Sequence, residues 1–406
     1  MMDNVDGSAT SALEAERLDQ GYFQDPLGLF ARLREETPVK QVITPRGELA
    51  WLVTRYEDVR AALGDPRLSM DTSKLRPTGW KPNPVFGYLN TNLLSLDPPD
   101  HSRLRRLVSK AFTPRRVAAL RPRVEAVAAE LVAAMAGQDE VDLVQAYAFP
   151  LPITVICELL GIAAADREQF QEWSRNVFSS VITPDEFRQT ALAVHSYFTE
   201  LLAERGRAPG DDLLSALITV RDSGDALTEH ELIAMMLLLI VAGHETTMNL
   251  IAGGVLALLS DPAEMLRLRA EPELLSTAVE ELLRYVNPVN HATERVTVEA
   301  MEIGGVSVPA NQWVICATSA ANHDPSQFAA PSQLDVARDA SGHLAFGHGI
   351  HYCLGAPLAR MEAEIAFGTL LSRFPSMTLA IPHSALRWRQ SSLMHGLETL
   401  PVKLGD

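Results

Sequence analysis

Cysteine is scarce in this chain, and the few cysteines present fit no pairing scheme. The 406 residues include three, Cys157, Cys316 and Cys353. An odd number of widely spaced cysteines argues against a disulfide framework and favours a reducing compartment, so we expect a cytoplasmic protein. Cys157 and Cys316 lie in apolar segments and are expected in the core. Cys353 differs because glycines surround it.

The chain also lacks a hydrophobic run long enough to cross a bilayer. The longest run, residues 232–243, is shorter than the ~20 residues of a spanning helix and ends at His244 and Glu245. Residues 1–20 are polar and acidic and do not resemble a secretory leader. We therefore expect a flexible N-terminus over 1–20 and no membrane association. A hydrophobic share of 47% predicts a large folded core.

Basic residues are fewer than acidic ones: the chain has 35 Lys and Arg and 51 Asp and Glu, which gives a net charge of −16. That balance argues against nucleic acid as a partner. One basic run stands out against it: Arg103, Arg105, Arg106, Lys110, Arg115, Arg116, Arg121 and Arg123. Its charge pattern is equally compatible with a solvated helix face and with a docking surface for an acidic electron carrier.

The segment Phe346–Gly355, with the sequence FGHGIHYCLG, presents Cys353 as a prepared metal ligand. Gly349 and Gly355 allow tight backbone turns and a close approach to a flat cofactor. A helix can begin directly afterwards at Pro357, and its N-terminal N–H groups would lower the pKa of the thiol. A buried structural cysteine and a zinc site with His348 and His351 are the alternatives.

A capping box at Thr228 and Glu231 predicts a long helix that runs to about Leu259. Its middle reads Ala242-Gly243-His244-Glu245-Thr246-Thr247, in which the small residues would let a flat ligand approach. Glu245 and Thr246 follow an apolar run, where a buried carboxylate is costly unless it is partnered or has a function. A satisfied buried polar pair is the plainer interpretation.

Together, these two segments resemble the haem-binding loop and the oxygen-binding helix of the cytochrome P-450 family. Phe346, Gly349, Cys353 and Gly355 match the loop, and 242–247 match the helix. The resemblance implies one domain over 21–406, mainly α with small β-sheets. It also implies the triangular prism of the P-450 fold, with haem between the oxygen-binding helix and the helix after the Cys loop.

The resemblance further implies roles for individual residues. Haem b would carry the Cys353 thiolate as its axial ligand, which favours O–O cleavage. Thr246 would be the hydroxyl on the oxygen side and Glu245 the acid that relays protons, beside Ala242 and Gly243. The propionates would meet donors that match the family's positions: His101, Arg105, Arg295 and His351.

Glu281 and Arg284 form a Glu-x-x-Arg pair that the family places in a buried structural network. The chain departs from the pattern at Gln333, where the family often has a third member, arginine. We therefore expect a pair rather than a triad, with Arg338 as an open alternative.

The resemblance nominates an apolar substrate pocket: Phe86, Leu93, Leu94, Phe178, Val241, Ala242, Val289, Leu393 and Met394. Core packing explains each of these residues equally well. An apolar lining suits a bulky hydrophobic or amphipathic molecule. The motifs resemble those of actinobacterial members that oxidise macrolides and related polyketides; terpenoids, steroids, fatty acids and peptides stay open.

The predicted function is a monomeric haem-thiolate monooxygenase of natural-product biosynthesis that uses O2 to hydroxylate or epoxidise its substrate. The sequence has no Gly-x-Gly-x-x-Gly segment for a flavin or nicotinamide, so we expect electrons from a ferredoxin and its reductase. Docking would use Arg103, Arg106, Lys110, Arg115 and Arg116. A peroxide-driven peroxygenase on the same fold and a non-enzymatic haem carrier or sensor are the alternatives.

Overall fold

The computed structural model describes residues 15–75, 91–110, 112–210, 212–222 and 227–405. Helices dominate it. The helices of nine residues or more are Pro26–Glu36, Tyr56–Gly64, Asp100–Ser109, Pro114–Met135, Pro150–Leu160, Arg167–Phe178, Pro184–Arg207, Leu213–Asp222, Glu229–Ser260, Pro262–Ala270, Leu275–Val286 and Ala356–Arg373. Shorter α-helices cover Gln20–Gln24 and Thr318–Asn322, and Val144–Ala148 is a π-helical segment.

The long helix, Glu229–Ser260, is the centre of the fold. Thr228 caps it, and the box with Glu231 forms in both directions, as predicted. The long helix packs against Pro150–Leu160, Leu275–Val286 and Ala356–Arg373. Within the described ranges it is the one helix long and apolar enough to cross a membrane, but 67% of its most apolar window is buried by these neighbours. Its apolar character therefore reflects the protein core.

The largest sheet lies beside this helical core. Its strands follow the order Glu16–Arg17, Val39–Ile43, Leu49–Val53, Trp313–Cys316, Arg295–Thr297 and Leu68–Ser69. Val39–Ile43 and Leu49–Val53 form an antiparallel hairpin in which Val39 faces Val53 and Ile43 faces Leu49. A three-stranded sheet has Pro401–Lys403 at its centre, between Thr378–Leu379 and Glu140–Asp142. A two-stranded sheet pairs Met301–Ile303 with Val306–Val308.

The structure extends the ordered fold slightly beyond the predicted N-terminal boundary. Glu16 and Arg17 pair with Val42 and Ile43, and Leu18 is buried. The fold contacts therefore begin before residue 21. The remainder of the predicted flexible segment, residues 1–14, lies outside the described residues.

Candidate active site

The Cys353 loop is folded by its own backbone and by one glycine that has no room for a side chain. The N–H of Cys353 donates to the carbonyl of Phe346 at 2.9 Å, which closes the loop. Gly349 has φ +76°, and a Cβ atom there would lie 2.8 Å from the carbonyl oxygen of Leu63. Both its conformation and its surroundings therefore require glycine. Phe346 packs under the guanidinium of Arg360 at 4.6 Å.

The helix Ala356–Arg373 starts three residues after Cys353, and Gly355 is its N-terminal cap residue. The N–H groups of Gly355 and Ala356 donate to the Cys353 sulfur, as the sequence predicts. Burial nevertheless raises the pKa of the Cys353 thiol above its ordinary value, and these donors and Arg105 only partly offset it. The predicted lowering by the N–H groups at the helix terminus is present, but in the protein alone desolvation of the thiolate outweighs it.

The four predicted propionate donors, two arginines and two histidines, form one cluster. The rings of His101 and His351 lie 4.3 Å apart, and Arg295 and His101 act on the charge of His351. The positive charge of Arg105 acts on both His101 and Cys353 and contributes to lowering the pKa of each. Burial, together with these neighbouring cations, lowers the pKa of His351 to about 4, so its ring is neutral near pH 7.

Several polar atoms in this cluster are buried and have no hydrogen-bond partner in the described structure. They are Nδ1 and Nε2 of His101, Nδ1 of His351 and Nε of Arg295. Buried donors left unpaired cost free energy unless a ligand satisfies them. Two anionic carboxylates beside the Cys353 thiol meet this requirement, so the residues fit haem with its two propionates.

The zinc alternative for the same loop is wrong. In the part of the chain that the structure describes, no group of three or more histidine, cysteine or acidic side chains is placed to hold a metal ion. His351 instead stacks toward His101.

In the middle of the long helix, Glu245 and Thr246 point to different partners. The Thr246 hydroxyl donates to the carbonyl of Ala242 at 2.8 Å. Glu245 is 2% exposed and forms an ion pair with Arg389. Since consecutive residues on a helix do not face each other, the two side chains do not meet in this arrangement.

Ala242, Gly243 and Thr246 are each partly exposed within this otherwise buried stretch. A Cβ atom at Gly243 would lie 3.2 Å from Ile156 of the neighbouring helix. A side chain at position 243 would therefore require Ile156 to give way by a few tenths of an ångström, so glycine favours close packing of the two helices.

Three of the nominated substrate residues meet in space. Val289 forms an isolated antiparallel bridge with Met394, and the N–H of Asn290 donates to the carbonyl of Leu393 at 2.7 Å. Leu93 and Val241 are buried, at 5% exposed each, and Leu94 is partly exposed. Phe86 lies outside the described residues; Phe178 ends its helix, but its side chain is not among those described.

The predicted pair of Glu281 and Arg284 is present and fully buried, with N–O distances of 2.7 and 2.8 Å. The expectation of a pair rather than a triad is wrong, because Nε of Arg338 donates to Glu281 at 3.0 Å. Gln333 contributes only its backbone carbonyl, which accepts from Arg338 at 3.1 Å. Arg338, five residues further along the chain than Gln333, thus supplies the second cation and the third member of the network.

Several members of the basic run form ion pairs, and several are exposed. Arg103 pairs with Glu231, Arg121 with Glu364, and Arg123 with Glu158. The side chains at the other end of the nominated docking surface are exposed: Arg106, Lys110, Arg115 and Arg116.

Sequence reasoning missed Arg389, the partner of Glu245. The two residues are 144 positions apart, and Arg389 belongs to no recognisable motif. Only the path of the C-terminal segment, which returns to the long helix, brings them together.

Comparisons with known proteins agree with this geometry. A sequence model of the family described as Cytochrome P450 matches residues 42–380. The chain is 48% identical over 399 residues to Cytochrome P450 107B1 of Saccharopolyspora erythraea, covering 95% of this chain and 97% of that protein. It is 45% identical over 397 residues to Cytochrome P450 monooxygenase PikC of Streptomyces venezuelae, covering 96% and 94%.

A solved structure gives the same result. The P450 monooxygenase TamI with tirandamycin C bound has a TM-score of 0.90 to this chain at 45% identity, covering 96% of this chain and 100% of that one. The predicted family and fold class are thereby confirmed. The chain belongs to the cytochrome P450 family, and it is a haem-thiolate monooxygenase that uses dioxygen, a small-molecule substrate and electrons from redox partners.

Proposed function

We propose that Cys353 is the axial ligand of haem b and that His101, Arg105, Arg295 and His351 hold its propionates. The observation that carries this assignment is the set of buried, unpartnered nitrogens of His101, His351 and Arg295. When bound, the haem supplies the binding and cleavage of dioxygen, which thiolate donation favours. The N–H groups of Gly355 and Ala356 orient the sulfur and moderate its charge.

Thr246 and Glu245 are the proposed proton-handling residues. Thr246 holds its hydroxyl fixed through the Ala242 carbonyl, so its oxygen can accept one proton and pass on another. Glu245 is a buried carboxylate that can exchange protons with water. This pair favours turnover with dioxygen over turnover with peroxide, since a peroxygenase has no need for the two protons that dioxygen cleavage consumes.

Electrons would come from a ferredoxin-type donor that docks on the exposed basic side chains of Arg106, Lys110, Arg115 and Arg116. Positive charge there contrasts with the net charge of −16 and would steer an acidic carrier. Arg103 is a weaker candidate because its charge is paired with Glu231. We also propose a cytoplasmic monomer.

The proposed substrate is a macrolide or related polyketide that the enzyme hydroxylates or epoxidises. Val289, Leu393 and Met394 provide an apolar wall, which suits such a bulky molecule. The similarity to PikC and to TamI with tirandamycin C bound supports this class.

The test is a spectral screen of haem-loaded protein against macrolides, linear polyketides, steroids and fatty acids, read as a spin-state shift when the substrate enters. Hits are then incubated with a ferredoxin, its reductase and NADPH under dioxygen, or with peroxide alone. A hydroxylated or epoxidised macrolide formed with the electron chain is the expected result. Faster product formation with peroxide than with the electron chain would contradict the dioxygen route, and hits confined to steroids or fatty acids would contradict the substrate class.

A further inference from the structure

The carboxylate of Glu245 faces a cleft that the proposed site does not yet explain. The cleft has a volume of about 400 Å³, and its lining includes Gln145, Gln171, Arg175, Glu245, Arg389 and Glu398. Arg175 and Glu398 are exposed at its mouth, whereas Glu245 is 2% exposed at its inner end. The cleft therefore joins surface water to the buried acid.

Arg389 reaches Glu245 from a hairpin that is seated directly on the long helix. Trp388 bridges to Leu397, and the N–H of Arg389 donates to the carbonyl of Gly396 at 2.9 Å. A Cβ atom at Gly396 would lie 2.1 Å from Oδ1 of Asn249, so only glycine allows this approach. Asn249 is one helical turn beyond Glu245 and lies on the same face, which places Arg389 over the carboxylate.

Arg389 is the cation that pairs with Glu245 near pH 7. Nε2 of His244 lies 3.9 Å from Glu245, but burial lowers the pKa of His244, and its Nδ1 is bonded to the carbonyl of Ile240. Arg175 and Glu398 face the same cleft from its mouth. A buried carboxylate keeps its charge only when a partner compensates for the lost hydration.

We propose that Arg389 is a positioning residue for the proton relay: its ion pair holds the Glu245 side chain toward the cleft, where Glu245 can take up protons from cleft water. This inference rests on the proposed function. A proton from bulk solvent passes along the cleft water to the Glu245 carboxylate and leaves each water neutral; neutral Glu245 then leaves Arg389, turns toward Thr246 and gives the proton up there. Each turnover moves two protons this way, matched by the two electrons from the redox partner, and the carboxylate returns to Arg389.

The experiment compares Arg389→Gln, Arg389→Lys, the double variant Arg389→Gln/Glu245→Gln and the control Arg175→Gln in haem-loaded protein. Arg175→Gln makes the same change in the same cleft without touching Glu245. Infrared spectroscopy at pH 7 detects protonated carboxyl groups. Burial raises the pKa of Glu362 well above its ordinary value, so Glu362 is expected to give the same band in every variant, and a new band is measured relative to it. Product and peroxide per NADPH report proton delivery.

Arg389→Gln is expected to add a carboxyl band that the double variant lacks. Its product yield is expected to fall about tenfold, less than the hundredfold or more typical of losing an acid–base group itself. Arg389→Lys restores most of the yield, and Arg175→Gln behaves like the wild type. Should Arg389→Gln not fold, Gly396→Ala must lower the yield with Arg389 in place, because the hairpin is displaced.

An Arg389→Gln protein without a new band and with a yield within twofold of wild type would overturn the inference while leaving the proposed function intact. Loss of the thiolate–carbon monoxide absorption in the wild type would instead overturn the proposed function. The further inference is thus tested on the Arg389→Gln variant, and the proposed function is tested on the wild type.

Discussion

Arg338 is predicted to stabilise the segment that leads into the Cys353 loop, and its replacement tests the buried network most sharply. Its guanidinium donates to Glu281 at 3.0 Å and to the carbonyls of Ala329 at 2.5 Å and Gln333 at 3.1 Å. The side chain is 14% exposed and Glu281 is fully buried. Arg338→Gln therefore removes a charge that compensates for a buried carboxylate.

Removing one partner of a buried pair costs about 3–5 kcal/mol. Arg284 still pairs with Glu281 in the variant, so we expect the lower end, about 3 kcal/mol in the free energy of unfolding. Arg338→Lys keeps the charge but loses the planar set of donors, and it should recover part of the loss.

The matched control is Arg267→Gln. Arg267 is 40% exposed and pairs with Asp335 at 3.3 Å on the surface of the same region. A surface pair contributes about 0–1 kcal/mol. Urea unfolding of the haem-loaded proteins is followed by circular dichroism and by Soret absorption. Equal losses of stability in Arg338→Gln and Arg267→Gln would refute the assignment of Arg338 to the network.

Three further predictions concern the site and its surroundings. Glu362 is 2% exposed, and burial raises its pKa. The folded chain therefore keeps a proton on Glu362 that the unfolded chain loses above about pH 4.5. The free energy of unfolding of the wild type should fall as the pH rises through this range, and Glu362→Gln should remove that dependence. A stability difference between the two that is the same at pH 5 and pH 8 would contradict this. Thr246→Ala should retain haem but send most reducing equivalents to peroxide, and fully coupled turnover would contradict its role. Reversing the charge of Arg106 and Lys110 should slow ferredoxin-dependent reduction about tenfold or more at low salt and less at high salt; unchanged, salt-insensitive rates in stopped-flow measurements would rule out docking there.

The features that the sequence predicts well depend on neighbours close in the chain. The capping box joins Thr228 and Glu231, three residues apart, and the N–H groups near Cys353 belong to the helix that starts at Ala356. Such local geometry follows from residue type and spacing alone.

The features that it leaves open or misses depend on long-range contacts or on a balance of opposing effects. Arg338 meets Glu281 across 57 residues and Arg389 meets Glu245 across 144, and neither contact leaves a local pattern. The pKa of Cys353 depends on burial against hydrogen bonding, and only the folded environment shows that burial prevails.

The most direct test of the account is the optical spectrum of the reduced, haem-loaded protein under carbon monoxide. If the Cys353 sulfur binds the iron, the wild type gives the red-shifted Soret band of a thiolate complex, and Cys353→Ala loses it. A wild-type spectrum without that band, or one that Cys353→Ala leaves unchanged, would contradict the assignment of the axial ligand and the site built around it.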